Sequence, residues 1–314
     1  MDVSELLRRY DTGERDFSGV NLAGADLRGA NLSEASFQDA YLAGADLVRA
    51  NLTKAKFNRA CLQRVKLSFA KLGNARLADA DLTKASLQGA CLTAAKLPRA
   101  RLSGANLKGT NFRRTNLWSA NFSGANMQGC NLRSANLTGA DLSWTNLQEA
   151  RLSGANLLGT ILNGTILESA YLNGVDLNGV DLSGINLENA KLSGSNLEGV
   201  SLAVANLREA QLHGVRLAGA DLTGANFIDA CLTHADLNWT SLRQTNFTRA
   251  DLSEATFVGA NVIHAEFEGA TLPETTRRYF CLTSNSTESE CHEPPEPRLS
   301  LDRLKDKIAV ALEV

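Results

Sequence analysis

Aromatic residues are only 6% of the 314-residue chain, proline occurs five times, and no apolar run approaches the roughly 18 residues a membrane-crossing helix needs. Few rings exclude a core built on aromatic packing, and with 44% hydrophobic residues the core must be aliphatic. An excess of one charge is lacking too. Lys and Arg number 32 against 34 Asp and Glu, a net charge of -2, which argues against both nucleic acid and membrane as partners. The opening MDVSELLRRYDTGERDF is charged and has no apolar signal-peptide core, so the expected location is the cytoplasm. No GxxxxGK[ST], HExxH, GxSxG or paired CxxC motif occurs. The expectation is a non-enzyme without cofactor or metal.

What is present is a period of five. From Phe17 to Leu272, all 52 residues whose numbers end in 2 or 7 are apolar: 41 Leu, nine Phe, Met127 and Val262. Two residues before each, the residue is nearly always small, Ala in 35 of the 52 cases. Between them Asn or Asp is frequent, as at Asn21, Asp26, Asn31 and Asp46. A helix would turn successive Leu by about 140°, giving no stripe. A straight strand would send them to alternate faces. The pattern therefore requires a short extended piece and a bend in every pentad. Of the 25 Gly, 23 lie at numbers ending in 4 or 9, where a tight turn with positive φ accepts them.

The lap length follows from the large rings. Phe17, Phe37 and Phe57 are 20 apart, as are Phe227, Phe247 and Phe267. Rings in a narrow interior stack best above one another. Four pentads then make one lap, and 52 pentads make about 13 laps. This is an all-β solenoid: backbone groups bond to the laps above and below, and only the two ends are open edges.

The A(D/N)LXX pattern, as in AGADL at 23–27 and SGANL at 103–107, resembles the pentapeptide-repeat family over about 260 residues. The resemblance implies a right-handed quadrilateral β-helix. The lead-in ELLRRYDTGERDF looks like that of cyanobacterial members, some of which regulate cell differentiation through protein contacts. Other members mimic DNA, bind topoisomerases and confer drug resistance. Such mimicry requires a strongly acidic exterior, which a net charge of -2 and a basic N-terminal band disfavour.

Four segments are expected: residues 1–14, a capping helix and lead-in; 15–274, the β-helix; 275–299, a polar, Pro-containing loop; and 300–314, an amphipathic helix. In the first helix, Asp2 and Glu5 form a capping box, and Leu6, Leu7 and Tyr10 cover the first lap. In the last, Leu301, Leu304, Ile308 and Leu312 share a helical spacing. It can cap the rod, pair two chains as a homodimer, or capture another protein.

Among six Cys, Cys61, Cys91 and Cys231 stand outward and Cys130 inward, all as free thiols. Cys281 and Cys291 flank one loop and can form a disulfide. His213 and His234, with Cys231 nearby, are too few ligands for zinc.

A solenoid without a pocket acts through its sides. Two features stand out. Between Lys54 and Arg114 there are 14 Lys and Arg against only Asp79 and Asp81, a local balance of +12. Within this band Lys56, Arg76 and Lys96 take one position in three consecutive laps, a candidate contact for an anion or acidic surface. Beside them Asp39, Arg59, Asp79 and Arg99 alternate in sign. Second, Trp144, Leu158, Ile161, Ile166 and Tyr171 point outward within about one and a half laps, a candidate partner contact. The expected function is a rigid, non-catalytic module that docks another protein; the alternative is binding of an anionic polymer by the basic band, which predicts a salt-sensitive complex.

Overall fold

The computed structural model describes residues 1–276. They fall in two compact units, Met1–Ile166 and a second beginning at Leu167. Helix α1 spans Val3–Asp11, and a short helical stretch stands at residues 274–276. Beyond α1, the chain advances in five-residue steps, each with a turn and, save at Asp181, a single bridged residue. The extended pieces are too short to read as strands of ordinary length.

Every bridge is parallel and joins residues 20 apart, from Asp16↔Ser36 to Asn146↔Ile166 in the first unit and from Tyr171↔Lys191 to Asp251↔Thr271 in the second. Four pentads therefore close one lap, giving four sides. We number them by the apolar residue at their centre: the first carries Phe17, the second Leu22, the third Leu27 and the fourth Leu32, with repeats every 20 residues.

The repeat accounts for all five backbone N–H groups of a pentad. In the step from Asn21 to Ala25, the Leu22 N–H donates to Tyr41 O at 2.7 Å and Gly24 N–H to Ala43 O at 2.9 Å, both one lap ahead. The Ala25 N–H closes the turn on Leu22 O at 3.1 Å. One lap on, Tyr41 N–H returns a bond to Val20 O at 2.8 Å. The remaining N–H, of Ala23, donates to Asn21 Oδ1 at 3.1 Å. Asn and Asp recur in the sequence because a side-chain acceptor two residues back satisfies the one donor that neither lap nor turn uses.

The residue before each step's end takes positive φ whether or not it is Gly. Glu34, Trp144 and Val204 have φ of 61, 59 and 59°. Stacking of laps imposes the left-handed turn, so Gly is favoured there without being required.

In both units the interior is a column of small residues and Leu, with most positions no more than 2% exposed. Phe17, Phe37 and Phe57 stack with centroids 5.7 and 5.2 Å apart. In the second unit Phe227, Phe247 and Phe267 stack at 5.0 and 5.3 Å. Buried hydroxyls are bonded to backbone, as in Thr110 Oγ1 to Leu87 O at 2.8 Å.

Helix α1 lies against the first lap. Leu6 and Tyr10 are buried, Leu7 is half-buried, and the Tyr10 hydroxyl donates to Ser33 O at 3.0 Å. Asp2 caps it, accepting the Glu5 N–H at 2.8 Å. The expected capping box forms only in this half. The Glu5 carboxylate turns to Arg8, one turn along, at 2.8 Å, where a guanidinium offers a charge-assisted pair that the N-cap amide cannot match. The expected C-terminal helix at 300–314 and the Cys281–Cys291 disulfide lie outside the described residues.

Candidate interaction surfaces

Trp144 and Ile161 stand on the second side in successive laps. The Leu142 N–H donates to Ile161 O and the Trp144 N–H to Asn163 O, both at 2.8 Å. Their exposures are 72% and 48%. The other expected members are not on the same side. Leu158 is exposed on the first side and Ile166 on the third, around the two flanking corners. Tyr171 belongs to the second unit, where it is half-buried and holds the Lys191 Nζ 4.6 Å from its ring centre. Four residues of the first unit thus form an apolar band wrapped over three sides. Their joint approach to a flat surface is limited to Trp144 and Ile161.

Sequence reasoning missed how Trp144 is held. Its six-membered ring covers Gly164, one lap on, so closely that a Cβ there would lie 2.4 Å from Cε3. The same pairing recurs with Trp239 over Gly259 and Phe69 over Gly89. Trp239 and Phe69 are exposed too. The signal was legible once the lap length was known: an aromatic residue at the turn position, followed 20 residues later by Gly.

Lys56, Arg76 and Lys96 form the expected column on the first side, bridged Lys56↔Arg76 and Arg76↔Lys96, and all three are exposed. At a rise of about 4.8 Å per lap they span roughly 10 Å. Some other cations of this band are neutralised by carboxylates one lap back. Arg59 pairs with Asp39 and Arg99 with Asp79, each at 2.7 Å, and Lys54 pairs with Glu34 at 2.9 Å. The Arg59 and Arg99 side chains hold the carboxyls of Asp39 and Asp79 below the ordinary carboxylate range by hydrogen bonding. Among the described residues, Lys56, Arg76 and Lys96 have no such partner.

His213 and His234 meet edge to face with ring centres 5.3 Å apart, and His213 Nδ1 shares a hydrogen bond with Thr233 Oγ1 at 2.7 Å. Among the described residues, no group of three or more His, Cys, Asp or Glu is placed to hold a metal ion. Cys61, Cys91 and Cys231 are half-buried free thiols, and Cys130 is a buried one. No helix of the described residues is long and apolar enough to cross a membrane.

The family model for pentapeptide repeats matches in segments that run, nearly without a gap, from residue 16 to residue 272. The chain belongs to the pentapeptide-repeat family. Family members fold as right-handed quadrilateral β-helices, in keeping with the four-sided register found here. They are in general non-enzymatic interaction modules. Among solved structures, the chain is similar to HetL from the cyanobacterium Nostoc sp. strain PCC 7120, a pentapeptide repeat protein involved in heterocyst differentiation regulation. Identity is 31%, over 87% of this chain and 97% of that one, with a TM-score of 0.24. Rfr23 from the cyanobacterium Cyanothece 51142 is 26% identical over 52% of this chain and 97% of its own, with a TM-score of 0.21. Full-length QnrB1, a plasmid-mediated fluoroquinolone resistance protein, is 22% identical over 61% of this chain and 85% of its own, with a TM-score of 0.37. Comparison with the curated proteins gave no match.

Proposed function

We propose that this pentapeptide-repeat protein is a non-catalytic cytoplasmic docking module, which binds another protein through the outer sides of its β-helix and serves regulation. One observation carries the reading: Trp144, held on Gly164 with 72% of its surface exposed, stands beside the exposed Ile161 on one side. A large indole fixed in place and left in water is the residue type that anchors protein interfaces. Its supporting lap holds it in one orientation, so little side-chain entropy is lost on binding. Helix α1, seated on the first lap through Leu6 and Tyr10, closes the open edge of the first unit. The basic sides of that unit do not imitate phosphate, which favours docking over mimicry of DNA.

The test is parallel affinity capture from the source cells with the native protein and the Trp144→Ala and Ile161→Asp variants. A partner retained by the native chain and lost by both variants, with unchanged circular dichroism, is the expected result. Identical capture by all three would remove the reading.

A further inference from the structure

The whole-chain charge conceals a strong separation. Residues 54–114 have a balance of +12, whereas residues 167–276 have 14 Asp and Glu against five Lys and Arg. Within the basic stretch the unpaired charge is concentrated further. Six exposed cations without an ion pair stand on two adjacent sides of the first unit: Lys56, Arg76 and Lys96 on the first, Lys71 and Arg113 on the fourth, and Arg114 at the corner between them. The carboxylates these two sides carry in the same laps, and the lap before, are already engaged. Glu34 holds Lys54, Asp39 holds Arg59, and Asp79 holds Arg99.

The row beside the column carries short side chains. Asn58, Ala78 and Pro98 run parallel to Lys56, Arg76 and Lys96 on the same side. The next residue in that row is Trp118, 41% exposed, with the Arg99 guanidinium 5.6 Å from its ring centre. Apart from Trp118 and, at the corner leading into the fourth side, Phe69, these two sides offer no exposed large apolar residue between residues 51 and 118. A protein interface requires a desolvated apolar centre, which this surface does not supply. A line of phosphates requires none, because its affinity comes from counterion release. A cation track ending on an exposed aromatic ring also suits unpaired bases, which stack on aromatic faces irrespective of sequence.

We infer that the first and fourth sides of the first unit bind the phosphate backbone of a single-stranded nucleic acid, with Lys56, Arg76 and Lys96 as the track and Trp118 as a stacking platform. This surface occupies laps before the Trp144 band and does not depend on that band's role.

The experiment is fluorescence anisotropy with a labelled 20-nucleotide oligothymidylate across 50–300 mM salt, using the full chain. The informative variant is the triple Lys56→Gln, Arg76→Gln, Lys96→Gln. Its control is Arg64→Gln, Lys84→Gln, Lys108→Gln, which removes the same charge from the other two sides. Track neutralisation is expected to weaken binding at least tenfold at 50 mM salt. It should also flatten the slope of log K against log salt by about 2, from about 0.7 per phosphate contact. The control triple should change affinity less than threefold, and Trp118→Ala should lose several-fold. Three results would overturn the inference: no binding at 50 mM salt, equal losses in the two triples, or tighter binding of a poly-glutamate peptide of matched charge.

Discussion

The indole of Trp144 lies against the bare Cα of Gly164, one lap further along the second side. Two requirements meet at that glycine. Its φ is +67°, which costs other residues conformational energy, and a Cβ would press on the ring at 2.4 Å. Gly159 separates the two effects, since it has φ +66° and nothing within 4 Å of an added Cβ. Gly159→Ala should cost about 1 kcal/mol from backbone conformation alone. Gly164→Ala should cost more than that and shift the emission of Trp144 by moving the ring. Urea denaturation and tryptophan fluorescence read both outcomes.

The stacked rings predict a large core effect. Phe37 is fully buried between Phe17 and Phe57, at 5.7 and 5.2 Å. Phe37→Ala should destabilise by about 3–5 kcal/mol, because laps fixed by hydrogen bonds above and below cannot collapse into the cavity. A thermal scan that leaves the melting temperature unchanged would count against the stacked interior.

Val204 is a β-branched residue held at φ 59°. That conformation costs an L-residue roughly 1–2 kcal/mol. Its side chain is 71% exposed, so little packing is gained in return. Val204→Asn or Val204→Gly should therefore stabilise the protein by about 1 kcal/mol, measured as a higher denaturant midpoint.

Asp81 makes stability depend on acid. Burial pushes its carboxyl up, yet bonds from Thr83, Gln63 and Arg101 outweigh burial and bring it down to about 2. With a folded pKa below the unfolded one, its contribution is complete above about pH 4 and fades as pH falls toward 2. The native chain should lose about 2 kcal/mol more than Asp81→Asn between pH 5 and pH 2. Denaturation at both pH values checks the difference.

Cys130 is fully buried and its thiol, deprived of solvent, is pushed up to about 12. It should resist maleimide in the folded protein, whereas half-buried Cys61, Cys91 and Cys231 should label. Peptide mapping after a timed exposure distinguishes them, and full labelling of Cys130 under native conditions would contradict the inward column.

The side walls divide the readable from the unreadable. The alternation of Leu, small residue and Asn or Asp, with Phe every 20 positions, was enough to place Phe37 inside and Lys56 above Arg76, because a short period leaves few ways to bury apolar groups. The Trp144 band was only partly legible. Trp144 and Ile161 share a side, but Leu158 and Ile166 turned out to lie around corners, since nearness in sequence does not count sides of a square.

By itself, the sequence determined the period, the lap and the inward column, since these are local choices of residue size and polarity repeated many times. The tertiary structure decided which outward charges find a partner and which stay bare. Lys54 and Lys56 are two residues apart, yet one meets a carboxylate in the lap behind and the other does not. Stacking also decided that Trp144 is held flat on a glycine 20 residues away. Such pairings depend on which side chain the next lap brings overhead, a relation that exists only once the chain has closed its turns.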